Sequence, residues 1–244
     1  MKYILIKNIT ELTKEDETYI IENLVEISKG RNSNYDLYTI VVKILQFLEK
    51  QTEKIRYGAI SEFFVLKTLK EKKFEQEYCF RNLEENSIKK GFDGVFLKEN
   101  ALWLMESKST KTESHETNIN KAYSGIKNQI EGKTKNDPWE NAVNHAKAAD
   151  SKKDLIGKLT DLSIKHTSGK FFELQNSNII LGSTVIKNNI DSSALDKNKL
   201  MKYIENHVSK KETLVSVNLS SEKHFIELLE KIKNNEEYSL QDKK

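Results

Sequence analysis

The sequence predicts a mixed α/β protein, in the α+β sense of helices combined with a mixed sheet. FDGVFL (92–97) and ALWLMESK (101–108) are rich in aromatic and branched residues, and the polar residues 98–100 between them are typical of a hairpin turn. NIILGSTVI (178–186) and ETLVSVNLS (212–220) are further candidate strands. Other segments repeat apolar residues at spacings of three and four, which indicates helices. Strands and helices therefore alternate along the chain.

The composition is polar but typical of a globular chain. The 244 residues suit one compact unit, because chains usually split into domains only beyond about 250–300 residues. The net charge of +3 is too small to indicate nucleic-acid binding by itself. The single Cys79 excludes an internal disulfide, and the sequence contains neither a signal-peptide pattern nor an apolar run of membrane length. We therefore expect a cytoplasmic protein that does not associate with membranes.

Residues 1–52 predict a helical layer that packs on the core. MKYILIK (1–7) is a candidate edge strand, and Thr13 is a candidate cap for the helix that follows it. A second helical pattern runs from Tyr35 to about Lys50. These segments predict packing and carry no recognisable chemistry. The remaining residues, 53–244, form the predicted core, with a helical insertion around 110–170.

The next helix, from about Lys54 to Lys72, carries a charged residue in its apolar stripe. Ile55, Ala59, Leu66 and Leu69 lie on one face, and Glu62 interrupts that line. A carboxylate in this position needs a partner, unless it lies at the edge of the stripe and reaches solvent. EYCFRN (77–82) then predicts the first core strand, in which Cys79 behaves as a small hydrophobic residue.

The hairpin places acidic residues in a stretch that is otherwise suited to burial. If the turn is centred between Glu99 and Asn100, antiparallel register sets Asp93 opposite Glu106. Strand alternation puts Lys108 on the same face as Glu106. Like charges directly opposite each other are destabilising, and a bound divalent cation is the simplest reason to keep them together. The alternative is an exposed edge hairpin with ordinary surface charges.

After the hairpin, STKTESHETN (109–118) is polar and predicts a loop that could flank a substrate. A helix over 119–130 is expected to cross back over the sheet, and one of its polar residues could reach a phosphate; the candidates are Lys121, Lys127 and Gln129. Asp137 as cap, Pro138 as first helical residue and Glu140 as a capping-box partner predict another helix start.

The C-terminal half offers a second, weaker indication of a nucleic-acid surface. Six lysines in residues 147–170 could contact a phosphate backbone, but three aspartates are interleaved with them. The favoured interpretation of this segment is a solvent-exposed helix with ion pairs along its surface. Helices over 198–210 and 222–235 complete the predicted elements, and a polar tail follows.

Several other kinds of site are excluded by their missing motifs. The five histidines lack the spacing or the cysteine partners of a zinc site. The sequence contains no P-loop, no dinucleotide fingerprint and no nucleophile elbow. Any ATP-driven work must therefore come from another chain.

The spacing of Asp93, Glu106 and Lys108 on a hairpin resembles the metal site of the PD-(D/E)xK nuclease superfamily. The order helix, strand, strand, strand, helix, strand is similar to the restriction-endonuclease-like αβββαβ core, here with added N-terminal and C-terminal helices. The resemblance implies hydrolysis of DNA with Mg²⁺ as cofactor and with Mn²⁺ as an acceptable substitute. It implies that Asp93 and Glu106 hold the metal, that Glu62 assists them from the preceding helix, and that Lys108 positions the attacking water.

The wider pattern of GFDGVFL, WLMESKS and a strand-helix-strand-helix ending resembles the small nuclease subunits of Hachiman-type bacterial anti-phage systems. This resemblance implies a helicase partner that holds the nuclease inactive until phage replication or DNA damage is sensed. Two alternatives remain open. One is a restriction or junction-resolving endonuclease that uses the same site selectively, and the other is a degenerate nuclease fold that serves as an interaction module.

Overall fold

A six-stranded mixed sheet lies at the centre of the computed structural model, which describes residues 1–80, 91–188 and 195–235. The strands are β1 (Lys2–Ile9), β2 (Glu75–Gln76), β3 (Gly94–Lys98), β4 (Ala101–Thr110), β5 (Asn178–Ile186) and β6 (Lys211–Leu219). The helices are α1 (Lys14–Lys29), α2 (Leu37–Lys50), α3 (Glu53–Glu71), α4 (His115–Ile130), α5 (Pro138–Ala148), α6 (Lys153–Thr167), α7 (Lys197–Ile204) and α8 (Lys223–Lys233).

The sheet has the order β1-β6-β5-β4-β3-β2. Strands β1, β6, β5 and β4 are neighbours that run parallel to one another. At the other edge, β3 pairs antiparallel with β4, and β2 pairs antiparallel with β3. The predicted mixed sheet is therefore confirmed. Along the chain, α3 precedes three strands and α4 follows them, in the order expected for the core, although α5 and α6 also precede β5.

Two hydrophobic clusters cover the two faces of the sheet. Buried residues of α1, α2, α3 and α8 pack on one face, where they meet Trp103 and Met105 of β4. Buried residues of α4, α5, α6 and α7 pack on the other face, where they meet Leu104. Neighbouring β4 residues thus face opposite helical layers, as strand alternation predicts.

The hairpin between β3 and β4 forms in the predicted register, with Leu97 opposite Leu102 and Val95 opposite Leu104. Its two turn residues, Glu99 and Asn100, both have positive φ, at 53° and 59°. Positive φ at both central positions is the signature of a type I′ turn, whose twist matches that of the flanking strands. The turn therefore sets the register on which the candidate site depends.

The predicted strand over 77–82 is wrong within the described residues. The strand is β2, only Glu75–Gln76, and the Glu77 N–H adds one last bond to the Val95 carbonyl at 2.9 Å. The chain then leaves the sheet, because the Phe80 N–H bonds to the Ile27 carbonyl at the end of α1. Packing against α1 and α5 overrides the strand propensity of this stretch. Residues 81 and 82 lie outside the described residues.

Several predicted boundaries also move. The loop predicted over 109–118 shrinks to 111–114, because β4 runs to Thr110 and the Ser114 side chain caps α4 at its start. Asp137 caps α5 by accepting the Trp139 N–H, with Pro138 in the first turn as predicted. The helix expected over 198–210 ends at Ile204. No helix in the described part of the chain is both long and apolar enough to cross a membrane.

Candidate active site

Glu106 and Lys108 lie in the second half of β4, on the face covered by α4. Leu104 begins this face inside the hydrophobic cluster, and the two charged residues follow it at alternate positions. Glu106 is only 5% exposed, whereas the Lys108 side chain is 38% exposed. The strand thus changes along one face from apolar packing to a buried acid and then to a cation near solvent.

Asp93 joins them from the other strand of the hairpin. Its N–H donates to the Met105 carbonyl at 2.9 Å, and its carboxylate accepts the Ser107 N–H at 2.7 Å. Since Gly94 pairs with Met105, the same register one step further sets Asp93 opposite Glu106. The structure therefore brings together three of the four predicted site residues.

Two donors hold the Glu106 carboxylate. Lys108 donates to its Oε1 at 2.5 Å, and the Gln129 amide of α4 donates to its Oε2 at 2.9 Å. Burial and the nearby charge of Asp93 nevertheless raise the pKa of Glu106 to about 8. Burial lowers the pKa of Lys108, but the charges of Glu106 and Asp93 outweigh it, so the net pKa is raised and the ammonium stays charged. The Lys108 ammonium alone therefore does not bring the pKa of Glu106 below neutral pH, and a second positive charge would be needed for its full ionisation.

Gln129, which the sequence offered as a possible phosphate contact, instead contacts the Glu106 carboxylate. Its Oε1 is buried and has no hydrogen-bond partner within the described residues, while its Nε2 binds Glu106. Buried polar atoms normally find partners, so an orphaned oxygen on a side chain that contacts the Glu106 carboxylate is consistent with an oxygen-binding cation or its water. The signal in the sequence is a polar residue on the apolar face of α4, the same kind of signal that selected Glu62.

Gly125 lets α4 approach Glu106 closely. A Cβ at this position would lie 3.1 Å from Glu106 Oε1, so the carboxylate would have to shift by a few tenths of an ångström. Gly125 and Gln129 are four residues apart and therefore share a helix face. One turn of α4 thus sets the place of this carboxylate.

If Asp93 and Glu106 hold Mg²⁺, we expect Gly125→Ala to weaken its binding about three- to ten-fold, because the added Cβ would push the Glu106 carboxylate from its place. In the Tm, the cost of this contact opposes the gain of about 1 kcal/mol by which alanine is the better helix former. Isothermal titration and thermal melting would measure the two effects. Gly157→Ala on α6 is the matched control, since nothing lies within 4 Å of its added Cβ. Equal Mg²⁺ affinity in the two variants would contradict the assigned role of this contact.

Glu62 is buried, at 7% exposure, so the alternative in which it reaches solvent is wrong. It lies on α3, which packs against β4, β5 and β6 on the face opposite to α4. Its charge is close enough to help raise the pKa of Lys108 and of Tyr78. In residues 1–80, 91–188 and 195–235, however, no three His, Cys, Asp or Glu side chains are grouped closely enough to hold a metal ion. A direct metal contact from Glu62 therefore stays a prediction.

Tyr78 is the neighbour of this site that the sequence analysis missed. Burial, followed by the charges of Asp93, Glu62 and Glu106, raises its pKa well above the ordinary value. Its hydroxyl accepts a hydrogen bond from the Asn141 amide at 2.8 Å. Because Tyr78 lies in the stretch predicted as a strand, nothing in the local pattern indicated that it would be buried against α5, within reach of the charges of the acids.

The other candidate cations have different surroundings. Lys121 forms a surface ion pair with Glu113 at 2.7 Å, and a phosphate contact from it stays a prediction. The lysines at 147–170 are solvent-exposed, and none of them forms an ion pair with another described residue. The segment comprises the end of α5 and α6 rather than a single helix, and the predicted ion pairs along it are wrong within the described residues.

Comparison of the chain with protein-family models, with curated proteins and with solved structures found no match. The chemistry of the site must therefore be argued from its residues. Two facing carboxylates, an elevated pKa on one of them and an unpartnered amide oxygen fit a hard divalent cation, which proteins bind through one or two carboxylates and other oxygens. Asp93, Glu106 and Gln129 would hold it.

Proposed function

We propose that this protein is a Mg²⁺-dependent DNA nuclease of the PD-(D/E)xK type, active on phosphodiester bonds. The observation that carries the proposal is the meeting of Asp93 and Glu106 across the hairpin, with Lys108 bonded to the buried Glu106. A fold that needed these residues only for stability would gain by replacing two facing acids, because burying charged groups is costly. Mn²⁺ is proposed as a substitute for Mg²⁺.

The proposed chemistry divides between the two carboxylates and the lysine. Asp93 and Glu106 would hold the cation, which would supply the charge to polarise a scissile phosphate and to lower the pKa of an attacking water. Lys108 is partly exposed, so it can leave Glu106 when the cation binds and can then orient the water or offset charge on the phosphate. Gln129 keeps the Glu106 carboxylate turned toward the hairpin.

The proposed context is bacterial anti-phage defence, with a helicase or other ATPase as partner. The support is the resemblance of the hairpin motifs to Hachiman-type nuclease subunits and the absence of a P-loop in this sequence. Under this proposal the partner supplies ATP-driven sensing and restrains the nuclease until DNA is to be degraded.

The test is cleavage of supercoiled and linear DNA by the purified protein, with Mg²⁺ or with EDTA. The Glu106→Ala/Lys108→Ala variant is expected to show no cleavage. Glu131→Ala/Lys133→Ala is the matched control, because it removes an ion pair with the same acid-x-lysine spacing from the surface, where Lys133 and Glu131 are 2.7 Å apart. Equal activity in wild type and site variant would refute the proposal, and discrete fragments from a plasmid would favour a restriction or junction-resolving enzyme.

If neither cleavage nor Mg²⁺ binding is found, the interaction module becomes the better account. Mg²⁺ binding without cleavage, lost in the site variant, would support a nuclease that is restrained or that needs its partner. Isothermal titration with Mg²⁺ alone separates these outcomes, because it does not depend on a DNA substrate or on release from a partner.

A further inference from the structure

A hollow of about 250 Å³ opens on the face of the sheet that α3 covers, at the starts of β1, β4 and β6. It forms where the helical layer ends. The start of α3 lies beside the end of β4, since a Cβ added at Gly58 would lie 3.7 Å from the Ser109 hydroxyl, and the helix ends at Glu71. Beyond that end the first residues of β1 line the hollow, and Tyr3 among them is 48% exposed.

The floor of the hollow is apolar. Trp103 of β4 and Phe74, which follows α3, pack edge to face with ring centroids 5.4 Å apart, and each is 4% exposed. Leu5 and Tyr3 of β1 continue this surface. Clefts that hold small molecules usually measure about 300–1,000 Å³, so a hollow below that range suits one apolar side chain better than a whole cofactor.

Three lysines on three different elements surround this floor. Lys72 follows α3, Lys98 ends β3 and Lys211 begins β6. The Lys98 ammonium lies 4.3 Å from the centroid of the Phe74 ring and donates to the Lys72 carbonyl at 3.2 Å. In the part of the chain that the structure describes, none of the three lysines forms an ion pair. Glu99 is the only acid among the described residues that line the hollow, so its rim is positively charged.

The lysines lie on opposite sides of the hollow. Lys98 is on β3 and Lys211 is on β6, and β5 and β4 separate these strands in the sheet. With about 4.8 Å between neighbouring strands, β3 and β6 are about 14 Å apart. An occupant that pairs with both sides therefore needs two acidic groups with an apolar group between them. In an extended peptide, alternate side chains share one face, and two acids four residues apart span about 13 Å.

We propose that this hollow is the docking site for an extended acidic segment of a partner protein. The segment inserts one apolar side chain onto the floor, and two flanking carboxylates pair with the lysines on either side. Such charge complementarity selects the partner and fixes its orientation. The inference goes beyond the proposed DNA cleavage and does not depend on it, because Trp103 and Glu106 lie on opposite faces of the sheet.

A nucleic-acid strand fits the hollow less well. Single strands bind proteins by stacking their bases on open aromatic faces, and the rings of Phe74 and Trp103 are too deeply buried for that contact. The polar edges of a base would also meet the apolar floor. A protein side chain of the leucine or phenylalanine type buries apolar surface there without leaving a polar group unpaired.

The experiment measures the binding of labelled nine-residue peptides by fluorescence anisotropy, in EDTA and without DNA. The peptides carry glutamate at positions 3 and 7, leucine, phenylalanine or tryptophan at position 5, and serine elsewhere. We expect binding that weakens at least about tenfold when position 5 is serine, because burial of the apolar side chain is then lost. Peptides with lysine in place of glutamate should not bind.

A Lys72→Glu/Lys211→Glu variant tests the rim of the hollow. It should bind the acidic peptides at least about tenfold more weakly, because two attractive charges become repulsive. Lys147→Glu/Lys153→Glu is the matched control, since it changes the net charge equally at exposed lysines of the helices on the other face of the sheet. The control should keep the wild-type affinity, and both variants should keep the wild-type Tm within a few degrees.

Equal affinity of the wild type and the Lys72→Glu/Lys211→Glu protein for the acidic peptides would overturn the inference, as would a wild type that binds none of them. Phenylacetate that binds as tightly as the peptides would also overturn it, because the hollow would then serve a small acid. So would a labelled single strand of DNA that this variant no longer binds and that the peptides do not displace. Because nothing is cleaved in this assay, failure of the nuclease proposal would leave its outcomes unchanged.

Discussion

With Mg²⁺ present, the Glu106→Gln protein is expected to lose DNA cleavage by at least about 10³-fold while remaining folded. Glutamine keeps the shape of the side chain and can still bond Gln129, but it lacks the negative charge with which a carboxylate attracts a divalent cation. The protein should still fold, because the substitution removes one of two like charges. Burial already disfavours the charged form of Glu106, as its raised pKa shows. Cleavage rate, Mg²⁺ titration and thermal melting together measure the effect.

The matched control is Glu99→Gln, which makes the same change at the exposed turn of the same hairpin. It should cleave DNA at the wild-type rate. Full activity of the Glu106→Gln variant would show that this carboxylate is not needed for cleavage. Unfolding of Glu106→Gln would instead show that its ion pair with Lys108 is mainly structural.

Magnesium affinity is expected to rise about tenfold per pH unit between about pH 6 and pH 8 and to level off above that range. The reason is that burial and Asp93 raise the pKa of Glu106 to about 8, so binding must displace a proton from Glu106 at lower pH. Isothermal titration in two buffers of different ionisation heat should show release of nearly one proton per Mg²⁺ at pH 7. Cleavage should rise over the same interval.

The same group makes stability depend on pH in the absence of metal. The folded state raises the pKa of Glu106 from its ordinary value of 4.5 to about 8. Between these two pH values, the folded protein therefore holds a proton on Glu106 that the unfolded chain has lost. Its contribution to the free energy of unfolding is therefore fully present below about pH 4.5 and is lost as the pH rises through 8. Mg²⁺ should raise the Tm more at pH 8 than at pH 6, and Glu106→Gln should abolish this difference. A metal-induced Tm increase that is independent of pH would contradict the elevated pKa.

Local chemistry was sufficient to predict the hairpin and most of the elements. Residues with strand propensity flank the polar turn, and the period of two then dictates which side chains share a face, so Asp93, Glu106 and Lys108 could be brought together from the sequence. Thr13 and Asp137 cap their helices as predicted, because caps depend on residues only two or three positions away.

The failed predictions share a cause, which is competition from distant parts of the chain. The strand expected over 77–82 does not form: the strand β2 ends at Gln76, because Phe80 bonds to Ile27 of α1, more than fifty residues earlier in the sequence. Glu62 was identified correctly as a buried acid, but the sequence could not tell that its helix covers the face of the sheet opposite to α4. Neither outcome follows from propensity or periodicity.

The sequence by itself thus determined the acid pair and the lysine beside it, because two strands joined by a two-residue turn leave little freedom of register. Only the tertiary structure decided the surroundings of that pair, including the Gln129 contact, the close approach of Gly125 and the position of Tyr78. These depend on which helices pack over the hairpin and at what distance. Such contacts come from the burial of whole apolar faces, which a local pattern does not specify.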